Sequence, residues 1–266
     1  MSDLNTNPAT RYGGVTRTAA EIDQGLRAYM LGVYNYMTIG LAITGLFALG
    51  VYMLSVTGDA NAAARTAAGV PAAIARGMFL TPLGYTLFVS PLKWVVIFAP
   101  LAIVFFLSFR LDKMSVGAGQ LTFWIYSAMV GISLATILMV YTHTSVARVF
   151  FIAAATFGAL SLYGYTTKRD LSGMGTFLFM GLIGVIIASL VNIWLGSSMM
   201  QWIISIVGLL VFAGFTAYDT QDIKNMYDAN DDGTVSGRKS IMGALRLYLD
   251  FLNIFLFMLQ LLGNRE

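Results

Sequence analysis

Apolar residues run in long blocks near 29–55, 92–110, 119–141, 146–165, 173–195, 201–221 and 240–262. Each block is long enough to cross roughly 30 Å of hydrocarbon as a helix. The pattern therefore predicts an all-α membrane protein, a bundle of about seven transmembrane helices. Arg246, Asp250 and Asn253 interrupt the last block, which leaves open whether it crosses or enters and leaves on one side. Ahead of the first block, residues 1–26 are polar and include Arg11, Arg17, Glu21 and Asp23, with no short apolar core of the kind a signal peptide carries. They are expected to form a cytoplasmic tail, and 27–266 the membrane domain. The connection 56–91 holds Pro71, Pro82 and Pro91 among Ala and Gly, so it should be irregular or only partly helical. The connection 226–239 reads as a polar, acidic loop.

Composition supports this partition. The chain is 58% hydrophobic and 11% charged, where a soluble domain carries about 25% charge. It has no cysteine, which excludes disulfides, thiolate metal sites and thiol nucleophiles. The net charge of +3 comes largely from basic residues flanking the blocks on one side: Arg11, Arg17, Arg27, Arg110, Lys113, Lys168, Arg169, Lys224, Arg238 and Lys239. The other side has Arg65, Arg76, Lys93, Arg148 and Arg265. This asymmetry places the N-terminus inside and accounts for the charge without nucleic acid as a partner. Small residues at helical spacing, Ser127, Gly131 and Ala135 or Ala154 and Gly158, suit close helix packing. Tyr29, Tyr34, Tyr36 and Trp94 suit an interfacial aromatic belt, and Asn192 and Trp194 suit anchors at the end of the fifth block.

Ionisable groups inside a membrane are costly and mark function. Asp219, in AYDTQDIK, lies near the end of the sixth block, and Asp250, in LRLYLDFLN, lies well inside the seventh. Arg246 and Asp250 are four apart and Asn253 three further on, so the three share one helix face that must look into the bundle. Two carboxylates brought together in a low-dielectric interior cannot both ionise cheaply, which makes such a pair a proton sensor. A base, Arg246 or Arg110, could hold the remaining charge. The plainer alternative is that Arg246 and Asp250 satisfy each other as an ion pair while Asp219 reaches water.

These segments, AYDTQDIK and ALRLYLDFLNIFLFMLQLLG together with KRDLSGMG at 168–175, resemble the transmembrane Bax inhibitor motif family in its bacterial branch, over roughly residues 27–263. The resemblance implies a seven-helix fold in the bacterial inner membrane. It also implies a buried aspartate pair, here Asp219 and Asp250, acting as the pH sensor of a calcium leak pathway. An arginine at the end of the second helix, matched by Arg110, would latch onto Asp219 in the closed state. Calcium is then the transported ion, with no cofactor and no catalytic residue. For some bacterial relatives the resemblance implies another role: an interaction protein in stress response that modulates a membrane protease or membrane-protein quality control, with residues 1–26 as the contact.

Other motifs point less far. DANDDGTVSGRK, from Asp228, begins like a calcium loop with Asp228, Asn230, Asp232 and Gly233, but its twelfth position is Lys239 where the ion needs a bidentate Glu. A mobile polar loop is the better expectation than a weak cation site. Paired aspartates also suggest an intramembrane aspartyl protease, yet Tyr248 and Leu249 precede Asp250 where that chemistry has a glycine, and no proline follows Pro100. His143, the single histidine, has no second His or Cys to build a metal site and is expected to be exposed and inert.

Overall fold

The computed structural model describes residues 18–75 and 77–265. Nine α-helices and three short strands follow one another along the described residues: α1 (Ala19–Ser55), β1 (Val56–Thr57), β2 (Ala73–Ala75), β3 (Met78–Leu80), α2 (Pro82–Phe88), α3 (Lys93–Arg110), α4 (Val116–Leu134), α5 (Ile137–Val140), α6 (His143–Thr166), α7 (Ser172–Leu195), α8 (Ser198–Asn225) and α9 (Gly233–Leu262). Seven of these segments, with α5 continuing α4, are long and apolar enough to cross a membrane. The all-α membrane fold expected from the apolar blocks is thus the one observed.

Local chemistry sets the helix ends. Thr18 caps α1 and exchanges hydrogen bonds with Glu21, so the helix begins about ten residues before its apolar run. Of the tail expected over 1–26, the part from Ala19 onward is therefore helical, and residues 1–17 lie outside the described residues. Ser197 caps α8 and Asp232 caps α9. Gly196 ends α7 at φ +60°, a left-handed conformation that a side chain rarely adopts.

The last helix settles its own question. α9 is one continuous helix of 30 residues, the most enclosed of the seven, packing against α1, α4, α6 and α8. Of its polar interruptions, Arg246 reaches Asp222 of α8 and Asp250 is buried. α3 and α7 lie at the periphery and are far less buried than α9. The 56–91 connection is more ordered than its prolines suggest. β1, β3 and β2 form a small antiparallel sheet with Val56 opposite Leu80 and Ala73 opposite Phe79. Thr81 and Pro82 then start α2. Strands of two or three residues without alternating polarity leave no periodic trace. This sheet marks one end of the bundle, and the 226–232 connection marks the other, the acidic-loop end.

Two of the small-residue positions part company. At Gly131 the backbones of α4 and α1 meet, and a Cβ there would stand 2.5 Å from the Thr44 carbonyl oxygen. Gly158 instead faces open space, and the close approach of α6 to α8 occurs at Gly164, against Ala217.

Candidate functional site

The site is built on the seam between the antiparallel helices α8 and α9. Asp219 and Asp222 are three apart on α8, and Arg246 and Asp250 are four apart on α9, so each pair projects from one helical face. Arg246 donates to Asp222 at 2.6 Å, with about a third of each side chain exposed. That contact fixes the register, and one turn further along the seam Asp250 comes abreast of Asp219. Asp219 is partly buried and acts electrostatically on Asp250, and Arg246 acts on both. Asp250 is 4% exposed, and its Oδ2 is buried without a hydrogen-bond partner. An oxygen left in that state costs free energy, which makes it unusual in a folded chain.

Asp250 is held in place from behind. Tyr248, fully buried two residues earlier, shares a 2.6 Å hydrogen bond with Thr44 of α1. Thr44 in turn bonds the carbonyls of Gly40 and Ser127. The rings of Phe123 and Tyr126 meet the Tyr248 ring edge-on. α9 is therefore pinned to α1 and α4 where it presents its carboxyl to α8.

The two segments KRDLSGMG and AYDTQDIK touch each other. Gln221 accepts from the Leu171 amide at 2.8 Å and donates to the Arg169 carbonyl at 2.9 Å, tying the α6–α7 connection to α8. In that connection, hydrogen bonds from Ser172 hold the exposed Asp170 carboxyl below its ordinary value.

Several expectations change at this level. Arg246 pairs with Asp222 and not with Asp250, so the self-satisfying pair on α9 is not formed. Arg110 ends α3, is exposed and makes no ion pair among the described residues; the cation brought to the aspartates is Arg246. Asn253 donates to the Leu249 carbonyl of its own helix. Of the loop expected over 226–239, the part from Gly233 onward is helical and forms the first turns of α9; in the remaining connection Asp228 accepts from Asn230, and Asp232 is engaged by the Thr234 and Val235 amides. Lys239 pairs with Asp231 and donates to the Met226 carbonyl, so the twelfth position that spoils a calcium loop instead closes the connection. No group of three or more metal-binding side chains gathers among the described residues. His143 is exposed and stands edge-on to Tyr52. Tyr29 is buried, and Tyr34 bonds Ser161, so neither serves as a belt residue, while Trp94 is exposed as a belt residue should be. Asn192 is buried and turns α7 into α8, donating to Gln201 and accepting from the Ser197 amide.

The residue that sequence reasoning missed is Asp222. Its signal was its place three residues after Asp219, on the face that meets Arg246.

A family model described as inhibitor of apoptosis-promoting Bax1 matches residues 26–266. Inner membrane protein YbhL of Escherichia coli is 44% identical over 244 residues, covering 91% of this chain and 94% of that one. An uncharacterized protein of Rickettsia prowazekii is 42% identical over 244 residues, covering 92% of each. A protein of Caulobacter vibrioides is 38% identical over 268 residues, covering both chains in full.

Proposed function

Because the chain belongs to the Bax inhibitor family of membrane proteins, we propose that it is a proton-sensitive calcium leak pathway of the inner membrane, gated by the aspartate pair Asp219 and Asp250. The observation that carries this reading is the buried Asp250 oxygen without a partner, abreast of a second carboxylate. Adjacent carboxylates with no donor between them bind and release a proton as a unit. Releasing it leaves negative oxygens on the seam, which attract a hard cation, and calcium is the cargo that the family resemblance implies. Binding it removes that charge and the electrostatic pull of the pair on Arg246, leaving Asp222 as the contact of Arg246 on α8. Ion attraction and helix position then change with one event. On this reading the protein is a transport pathway and not an enzyme, and the excess of basic residues at the acidic-loop end supports a cytoplasmic N-terminus.

The test is calcium release from loaded liposomes containing the purified protein, followed from pH 5 to pH 8. The wild type should change its flux across that range, and Asp219→Asn with Asp250→Asn should give a flat profile. Identical pH profiles would refute the sensor. No flux from either protein would favour the interaction role over transport.

A further inference from the structure

α1 and α6 diverge at the acidic-loop end and leave a groove of about 470 Å³ on the flank of the bundle. Met30, Leu31, Phe157 and Leu162 make its walls apolar. It is hollow at Gly158, where an added Cβ would meet nothing within 4 Å. Its floor is polar but already satisfied: the Tyr34 hydroxyl lies 2.6 Å from Ser161 Oγ, which lies 2.9 Å from Thr220 Oγ1. Thr220 donates onward to the Thr216 carbonyl. This clamp joins α1, α6 and α8 beneath the groove and leaves these hydroxyls bonded to one another. The depth of the groove therefore suits a hydrocarbon chain.

The end of the groove has different chemistry. Arg27 lines it, is exposed, and makes no ion pair among the described residues. Tyr165, also in the lining, carries Lys224 4.9 Å above its ring and accepts from the Lys224 ammonium at its carbonyl. Arg27 thus brings a positive charge to the lining itself, while Lys224 is held on Tyr165. Asp23 is one turn before Arg27 on α1 and is exposed, but makes no ion pair with it. Arg27 also stands where the polar first turns of α1 give way to its apolar run, the depth at which headgroups lie.

We propose that this groove binds one anionic glycerophospholipid from the leaflet at the acidic-loop end, with an acyl chain along Met30, Phe157, Gly158 and Leu162 and the phosphate on Arg27. Charge complementarity selects the headgroup, and the apolar walls retain the chain.

Native mass spectrometry of the purified full chain, offered equal amounts of phosphatidylglycerol and phosphatidylcholine with the same acyl chains, tests the proposal. The wild type should retain phosphatidylglycerol preferentially as its first lipid. Arg27→Gln, at an exposed position, should lower that preference about five-fold, the effect of one basic side chain near a membrane surface, and Arg27→Lys should keep it. Gly158→Phe should reduce retention of both lipids while circular dichroism reports an intact fold. Excess glycerol phosphate should fail to displace the lipid, whereas displacement would point to a free phosphate ligand and overturn the lipid assignment. Equal retention of both lipids by the wild type, or a preference untouched by Arg27→Gln, would also overturn it. The readout involves no calcium flux, so its outcome is independent of the transport reading.

Discussion

The α8–α9 seam is polar at both ends, and the two ends are built on opposite principles. Toward the sheet end the polar side chains that α8 and α9 turn to each other are neutral and bonded to one another, with Arg265 beyond the end of α9 lining the same cavity. Gln201 donates to Gln260 at 2.9 Å, Ser205 donates to Gln260 at 2.7 Å, and Asn192 joins them through Gln201. Toward the acidic-loop end the polar groups are charged, with three aspartates served by one arginine and one buried oxygen left without a donor. A neutral network of that kind fixes helix register and asks for nothing more. A charged cluster with an excess of acid stays in balance only by taking a proton or a cation. The same two helices therefore carry a structural fastening at one end and a chemically unfinished site at the other.

The largest expected effect follows from removing the one cation. Arg246→Gln leaves Asp222 unpaired and takes positive charge away from Asp219 and Asp250, so it should destabilise by about 2 kcal/mol. That is less than for a fully buried pair, because a third of each side chain is exposed. Adding Asp222→Asn should recover about half of the loss, a coupling read from a double-mutant cycle in thermal unfolding. Strictly additive losses would mean that the 2.6 Å contact contributes nothing and that the charged end is no more coupled than the neutral one.

Removing the orphaned acid should have the opposite sign. Asp250→Asn keeps the shape, removes the possibility of an uncompensated charge, and should stabilise by about 1 kcal/mol at neutral pH. Groups selected for chemistry are often the ones whose replacement stabilises a protein. A fall in the unfolding temperature of Asp250→Asn would show that the carboxyl has a structural partner and that the two ends do not differ in kind.

Hydrophobic runs announced the seven crossings because a spanning helix needs some twenty apolar residues and nothing else in a chain does. Asp219 and Asp250 stood out for the same reason, as rare charges in apolar surroundings. What stayed hidden depended on inter-helix register. Asp222 counts only because α9 brings Arg246 opposite it, and Arg110 drops out because α3 packs on α4 at the periphery. Tyr34 looked like a belt residue by position along α1, but its rotation about the helix points it at Ser161. Gly158 and Gly164 are equally small, and only the crossing of α6 over α8 decides which is closed in. Strands as short as β1, β2 and β3 leave no period to read.

The smallest effect tests the neutral end. Gln260→Leu removes the acceptor for Gln201 and Ser205, but Ser205 keeps its bond to the Gln201 carbonyl at 2.8 Å, so no buried hydroxyl is orphaned. Hydrogen bonds between helices within a membrane contribute about 0.6 kcal/mol on average, and a loss near that size is expected in thermal unfolding. The decisive part is what should not move. If the sheet end only fastens α8 to α9, Gln260→Leu lowers stability slightly and leaves the pH profile of the proposed calcium release as in the wild type. If instead the profile shifts, the amides at that end take part in the proposed pathway, and the seam is a single functional unit from one end to the other.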